Sequence, residues 1–126
     1  AADQILTLDK EIFGKPASPE EARAQLLKLR GQTHQLASAV CVAKGGAVIW
    51  HTLDTAELRM RKFSDEFLDW YVLRHGNRVT RSVGGYEIEG EGLQLFESIK
   101  GDYFTILGLP LVELLAFLRV HGILLT

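Results

Sequence analysis

Asp3 is the first residue whose position could support chemistry, because it stands just before the apolar run at residues 5–8. A carboxylate contributes little to packing there, but it could bind a divalent cation or accept a proton from water. The alternative interpretation is a solvated charge at the end of a strand. The residue by itself leaves both interpretations open.

Lys15 lies in a second segment of this kind, Gly14-Lys15-Pro16. Glycine lets the backbone bend closely, lysine offers a compact cation and proline stiffens the exit, so the lysine could lie over a phosphate group. The segment is not a Walker loop, because the upstream glycine and the Ser or Thr after the lysine are absent. An ordinary surface loop is the alternative.

The glycine-rich segment 84–92 is a third candidate. Its adjacent glycines, Gly84 and Gly85, would let the backbone approach a ligand closely, and Tyr86 could stack or form a hydrogen bond. Three carboxylates alternate along it and would share one face of a strand, where they could hold Mg²⁺ or Mn²⁺: Glu87, Glu89 and Glu91. A solvent-exposed face is the alternative.

Charge and composition exclude several classes of partner and site. The chain has 14 basic and 16 acidic residues, so no basic excess indicates nucleic-acid binding. The longest apolar run, near residues 106–118, is interrupted by Pro110 and Glu113 and is too short to span a membrane. The histidines lack metal-binding spacing, and no Ser-His-Asp or Cys-His arrangement is suggested.

Cys41 is the single cysteine, which fits a reduced compartment. It sits in an apolar run, residues 39–43, so we expect a small buried side chain rather than a catalytic thiol. No signal peptide is visible, since no basic region precedes an apolar core at the start. We therefore predict a cytoplasmic protein without membrane or nucleic-acid partners.

The elements that position these residues alternate between strands and helices, which predicts one α/β domain over residues 1–126. Gly45-Gly46 is a hairpin turn signal between two of the strands. Ser18 and Ser64 are N-caps, and Glu21 would complete a capping box. Strands are predicted at 3–8, 33–43, 47–60 and 105–107, and helices from 18 to 31, 64 to 76 and 111 to 121. A loop is predicted at 12–17, a functional loop or a bent strand at 77–92, and a short helix or turn at 93–99.

The order of several motifs resembles the Maf family over essentially the whole chain. The resemblance rests on Ala2-Asp3-Gln4, Gly14-Lys15-Pro16, and the segments at 29–34, 58–64, 84–90, 99–103 and 108–111. It implies a two-lobed α/β fold with a mixed, elongated sheet flanked by helices, often in a homodimer. It also implies hydrolysis of nucleoside triphosphates, pyrimidine or modified, to the monophosphate and pyrophosphate with a divalent cation.

The resemblance also implies roles for individual residues. Asp3 would activate water or hold the metal, and Lys15 would contact phosphate. Glu89 sits where many members have a glutamine near the substrate, and it is a second possible metal ligand. Gly85 would let the backbone approach the substrate.

Two departures from the family pattern bear on activity. Many members carry Asp-Lys-Ala where this chain has Arg81-Ser82-Val83. The family opens with a strand and a Ser-rich, Arg-Arg motif that grips phosphates, and neither is present here. We expect an N-terminal truncation, with a separate N-terminal fragment as a potential partner and an activity that the 126 residues alone could lack.

Two other functions remain open at this stage. The first is a catalytically weak nucleotide-binding or regulatory protein of the Maf type, linked to septum formation. The second is a structural or dimerising fragment.

Overall fold

The computed structural model describes residues 1–88 and 90–124. It contains five strands: β1 (Ala2–Leu8), β2 (Glu11–Phe13), β3 (Thr33–Lys44), β4 (Ala47–Met60) and β5 (Phe96–Lys100). Its four helices are α1 (Pro19–Leu29), α2 (Asp65–His75), α3 (Tyr103–Leu107) and α4 (Leu111–Val120). Three short 3₁₀ turns lie at Gly76–Thr80, Val83–Gly85 and Glu91–Leu95.

The strands form one sheet in the order β2-β1-β3-β4-β5. Strands and helices together confirm the predicted α/β class. Every pairing in the described part of the sheet is antiparallel, so the sheet is more uniform than the mixed one implied by the resemblance. The predicted hairpin between β3 and β4 is confirmed, since Gly45 and Gly46 both adopt positive φ, at 61° and 80°.

The two faces of the sheet differ sharply in burial. Leu6, Leu36 and Leu58 point to one face, where they are at most 2% exposed and form the core with α1, α2 and the segment 76–95. Burying one such leucine stabilises the fold by roughly 1.5–3 kcal/mol. On the other face Ile5 and Leu53 are 41% and 66% exposed. The functional elements therefore gather on the first face and along its rim.

Helix α1 begins as its cap residues predict. The Ser18 hydroxyl accepts a hydrogen bond from the Glu21 N–H at 3.1 Å, and the Glu21 carboxylate accepts one from the Ala17 N–H at 3.1 Å. The second bond reaches one residue further back than a capping box requires. The predicted buried stripe is confirmed, because its three members are fully buried: Ala22, Leu26 and Leu29.

Three predicted elements were wrong. The loop at 12–17 begins with strand β2, which pairs with Leu6–Leu8. Residues 93–99 are the end of a 3₁₀ turn followed by β5, which is a strand because it pairs with the end of β4. The strand predicted at 105–107 is helix α3, because the Asp102 carboxylate caps the N–H groups of Phe104 and Thr105.

Cys41 is partly exposed, not buried as expected. Side chains alternate between the faces of a strand, and Val40 takes the buried side of β3, so Cys41 falls on the open face. No helix within residues 1–88 and 90–124 has the length and apolar character needed to cross a membrane.

Candidate functional site

A cleft of about 300 Å³ opens beside the first half of β1. It brings together two residues predicted from separate motifs, Asp3 and Lys15, with Arg81 and Ser82 from much later in the chain. We call it the charged cleft. Its remaining lining comes from β1, the segment after the first 3₁₀ turn and the end of α3: Ala2, Gln4, Val83, Leu107 and Gly108.

Asp3 reaches the charged cleft because part of β1 has a free edge. Strand β2 pairs only with Leu6–Leu8, so Ala2–Gln4 has no strand beside it on that side within the described residues. The Asp3 side chain is exposed, and its Oδ1 accepts a hydrogen bond from the Gln4 N–H at 2.9 Å. Its carboxylate can still accept a proton or bind a cation at the other oxygen.

Lys15 is carried by a loop that α1 holds in place. The Gln25 side-chain amide donates to the Gly14 carbonyl at 3.0 Å, and the Ala17 N–H donates to Glu21. Between these two bonds Pro16 is buried while Lys15 is exposed. These two bonds hold the backbone before and after Lys15. The Lys15 ammonium group has no ion pair among the described residues.

Gln4 was missed by the sequence reasoning although it lines the same cleft. Its amide nitrogen donates to the Ile106 carbonyl at 2.9 Å and lies 3.3 Å from the Thr105 carbonyl and 3.4 Å from the Ser38 hydroxyl. The fully buried Ser38 also donates to the Thr105 carbonyl, at 2.6 Å. These bonds fix α3 against the sheet. A signal existed, since Gln4 alternates with Leu6 at an inward position of an apolar strand.

The two adjacent glycines approach the protein's own elements. Gly84 has φ +81°, and an added Cβ would lie 2.7 Å from the Leu6 side chain on β1. Gly85 has φ +79°, and its Cβ would lie 3.2 Å from Ala22 on α1. The structure therefore gives Gly85 a packing role outside the charged cleft, and its contact with a substrate stays a prediction.

A second cavity of about 210 Å³ continues from the charged cleft. The two share Gln4, Ser82, Val83 and Leu107. The rest of its lining is mostly apolar: Leu36, Tyr86, Glu87, Ile88 and Ile106. We call it the apolar chamber. A charged opening beside an apolar space matches the division of a nucleotide into phosphates and a flat base.

Tyr86, in the wall of the apolar chamber, is held by a buried histidine that the sequence reasoning did not single out. The Tyr86 hydroxyl lies 2.7 Å from His34 Nε2, and His34 Nδ1 has no partner among the described residues. Burial lowers the pKa of His34 to about 4 and raises the pKa of Tyr86. Both groups are neutral near pH 7, so the pair positions Tyr86 rather than exchanging protons.

Glu87 and Glu91 do not share a strand face, because residues 91–95 form a 3₁₀ turn and residues 86–87 are irregular. Glu87 borders the apolar chamber, and Glu91 bonds to Arg74 at 2.6 Å. Glu89, the predicted substrate and metal residue, lies outside the described residues. The prediction of one carboxylate-bearing strand face here was therefore wrong.

Glu91 lines a third cavity, of about 180 Å³, together with Gly85, Gly90 and Gly92 of the glycine-rich segment. His75 Nε2 is 3.9 Å from the Glu91 carboxylate, and the Tyr71 hydroxyl lies 3.5 Å from the Gly85 carbonyl. Burial raises the pKa of Tyr71 to about 12. We call this cavity the paired-charge pocket.

A divalent cation fits the charged cleft only with help from a substrate. No group of three His, Cys, Asp or Glu side chains that could hold a metal occurs in the described part of the chain. Among the described lining residues Asp3 is the one carboxylate. Mg²⁺ is commonly bound by one or two carboxylates, several waters and substrate phosphates, and that donor set is compatible with Asp3.

Comparison with known proteins gives a consistent family. A nucleoside triphosphate pyrophosphatase of Caulobacter vibrioides is 57% identical over 121 residues, which are 96% of this chain and 61% of that protein. A 7-methyl-GTP pyrophosphatase of Brucella abortus biovar 1 is 51% identical over 117 residues, 93% of this chain and 59% of that protein. The chain thus spans about three fifths of the length of these curated relatives. The family described as Maf-like protein matches residues 1–121, and the chain belongs to that family.

Proposed function

We propose that this protein hydrolyses nucleoside triphosphates between the α and β phosphates, releasing the monophosphate and pyrophosphate. One observation carries the proposal. Asp3, Lys15 and Arg81 come from three distant segments, yet they line one cleft that opens into an apolar chamber. The names of the relatives in Caulobacter and Brucella support the same reaction.

The chemistry needs few protein groups, because phosphate-anhydride hydrolysis depends on positioning and on compensation of negative charge. Water adds to one of the two phosphorus atoms, and the bond from that phosphorus to the bridging oxygen breaks. The bridging oxygen keeps the electron pair of the broken bond. It leaves with the phosphorus that water did not attack, as part of pyrophosphate or of the monophosphate. Asp3 accepts the proton of water or holds the cation, and Lys15 offsets charge on the phosphates.

Mg²⁺ or Mn²⁺ is the cofactor in this proposal. Asp3 is the described residue that would hold it, and Glu89 stays a predicted second ligand. When bound, such an ion offsets phosphate charge and lowers the pKa of a bound water.

The apolar chamber is the proposed place of the base. Its mostly apolar walls would contact a flat ring, while the charged cleft would hold the phosphates. Relatives in Brucella and Mesorhizobium are named for a methylated guanine nucleotide, which supports a modified base as the substrate class, and a pyrimidine base stays a prediction. A homodimer and a cytoplasmic location stay predictions.

A catalytically weak nucleotide-binding protein is the second candidate function. It is favoured by Arg81 and Ser82, which line the cleft where many family members carry Asp and Lys. Such a protein would bind triphosphates without releasing pyrophosphate.

The test is a panel of nucleoside triphosphates with Mg²⁺ or Mn²⁺, in which pyrophosphate and monophosphate are measured together. It uses the purified chain, alone and joined to the part of the Caulobacter vibrioides relative that lies outside the match. Equal amounts of the two products from either form would support the proposal, and the panel would identify the base. If neither form releases pyrophosphate while both are thermally stabilised by a nucleotide, the second candidate replaces the first.

A further inference from the structure

Arg81 stands where the chain departs from the family pattern, and its surroundings indicate a use for that departure. It lines the charged cleft with Asp3 and Lys15. Its side chain is exposed and has no ion pair or hydrogen-bond acceptor among the described residues. A guanidinium that faces a cleft without a partner is available to an anionic ligand.

Several other arginines of the molecule are paired, although Arg78, like Arg81, has no ion pair among the described residues. Arg74 is 2.6 Å from Glu91, and Arg59 is 3.0 Å from Glu97. Arg23 is also paired, at 2.8 Å from Asp69. In the described lining of the charged cleft, two cations face one carboxylate, which favours an anion with several negative charges.

The backbone that carries Arg81 is fixed although its side chain is free. The Arg81 N–H donates to the Arg78 carbonyl at 3.1 Å and ends the first 3₁₀ turn. The Gly85 N–H donates to the Ser82 carbonyl at 3.2 Å, and Gly84 packs against Leu6. The guanidinium therefore projects from a rigid base, which reduces the entropy lost when it binds a ligand.

The positive charge of Arg81 also compensates for a lysine that many family members carry and this chain lacks. The lysine that many family members carry would fall at Ser82, one residue after Arg81. Both positions line the same cleft, so a positive charge moved by one residue still reaches it. An arginine in place of a lysine offers a planar fork that binds two phosphate oxygens together.

We infer that Arg81 binds the polyphosphate of the substrate with two hydrogen bonds, in the charged cleft that Lys15 also lines. The inference rests on the proposed function for its substrate class. The cleft itself supports an anionic ligand, since two cations and one carboxylate line it.

The experiment compares Arg81→Ala and Arg81→Lys with Arg78→Ala, an exposed arginine in the same 3₁₀ turn that borders the paired-charge pocket. Two readouts are used: KM and kcat for the best triphosphate of the panel, and thermal stabilisation by inorganic tripolyphosphate. We expect Arg81→Ala to raise KM by about tenfold to a hundredfold with little change in kcat, as loss of a charge-assisted contact predicts. Arg81→Lys should recover part of the loss, and Arg78→Ala should match the wild type.

The outcomes separate this inference from the proposed function. If pyrophosphate is released but Arg81→Ala keeps the wild-type KM and the wild-type stabilisation by tripolyphosphate, the inference is overturned. If no nucleotide is hydrolysed but tripolyphosphate stabilises the wild type and not Arg81→Ala, the inference stands without the activity. Should Arg81→Ala fail to fold, Arg81→Lys decides, because a KM and a stabilisation equal to the wild type would contradict the two-bond contact.

Discussion

The charged cleft and the paired-charge pocket differ in how their charged side chains are held. In the charged cleft, Asp3, Lys15 and Arg81 are exposed and have no ion pairs among the described residues. In the paired-charge pocket, Glu91 accepts a hydrogen bond from Arg74 at 2.6 Å, whereas Arg78 and Glu87 of the same lining have no ion pair among the described residues.

The difference indicates what each site is for. An exposed ion pair contributes about 0–1 kcal/mol to stability, so pairing in the second pocket mainly ties α2 to the glycine-rich segment. Charges left unpaired in one cleft contribute nothing to that segment's stability. They become useful when a ligand with complementary charge arrives, which supports placing the proposed chemistry in the charged cleft.

Asp3→Asn should have the largest effect on turnover. If turnover did not change, the contrast between the charged cleft and the paired-charge pocket would be wrong. We expect turnover to fall by about 10² to 10⁴, because the change removes a proton acceptor or a cation ligand and leaves the shape intact. Pyrophosphate release over a range of Mn²⁺ concentrations is the measurement. Recovery of Asp3→Asn at high Mn²⁺ would assign Asp3 to the cation, and persistent loss would assign it to the proton.

The matched control for Asp3 is Asp9→Asn, at an exposed turn residue with φ +55° that asparagine tolerates. It should keep wild-type turnover. Equal turnover in Asp3→Asn and the wild type would remove Asp3 from the mechanism.

The next largest effect is expected from protonation of His34, which should lower stability. His34 bonds to Tyr86 in the wall of the apolar chamber. Its pKa is about 4 in the folded protein, below the ordinary 6.5, so the unfolded chain binds the proton first as pH falls. The contribution of His34 to the free energy of unfolding should therefore decrease between pH 6.5 and pH 4, by roughly 3 kcal/mol in total, and change no further below pH 4. Urea denaturation across this range measures it.

His34→Gln is the comparison variant, since glutamine can still bond to Tyr86 but does not titrate there. Its unfolding free energy should lose less on acidification than that of the wild type. Identical pH profiles for the two proteins would show that His34 is not the titrating group.

Lys15→Ala should weaken triphosphate binding by about tenfold to a hundredfold, as expected for one hydrogen bond to a charged group. KM and kcat for the best nucleotide are the measurements. Lys10→Ala, at an exposed lysine in the turn before β2, is the control and should leave both constants unchanged. Unaltered KM and kcat in Lys15→Ala would refute its phosphate role.

Arg74→Ala should have the smallest effect on turnover and stability, and it tests the paired-charge pocket rather than the charged cleft. Removing one partner of an exposed pair should cost at most about 1 kcal/mol of unfolding free energy and leave turnover at the wild-type level. Chemical denaturation of Arg74→Ala, Glu91→Gln and the double variant would isolate the pair. A loss of turnover as large as that of Asp3→Asn would erase the distinction between the two pockets.

Local signals in the sequence predicted much of the fold. The cap at Ser18 and the turn at Gly45-Gly46 act within a few residues, so they fixed α1 and the hairpin correctly. Helix α3 was missed because Thr105-Ile106 favours a strand, whereas the nearby Asp102 cap decides the conformation. Strand β5 was missed because its conformation depends on pairing with distant β4.

The candidate site likewise has a part that local motifs predicted and a part that depends on contacts between distant segments. The motifs drew attention to Asp3 and Lys15, and the resemblance gave them roles. Their convergence with Arg81 could not be predicted, because it depends on how the glycine pair packs between β1 and α1. The bond between His34 and Tyr86 joins residues 52 positions apart, so no local pattern indicates it.

The hairpin of β3 and β4 has a consequence for the order of folding. It is the longest pairing in the described sheet, and its ends are joined only by Gly45-Gly46, so closing it loses little chain entropy. Strand β1 pairs locally with β2, but its longer pairing, with β3, involves a strand beyond α1, and the partner of β5 lies beyond α2 and the glycine-rich segment. We therefore expect the hairpin of β3 and β4 to form early. The charged cleft should form late, because its lining combines β1 with residues 81–83 and the end of α3.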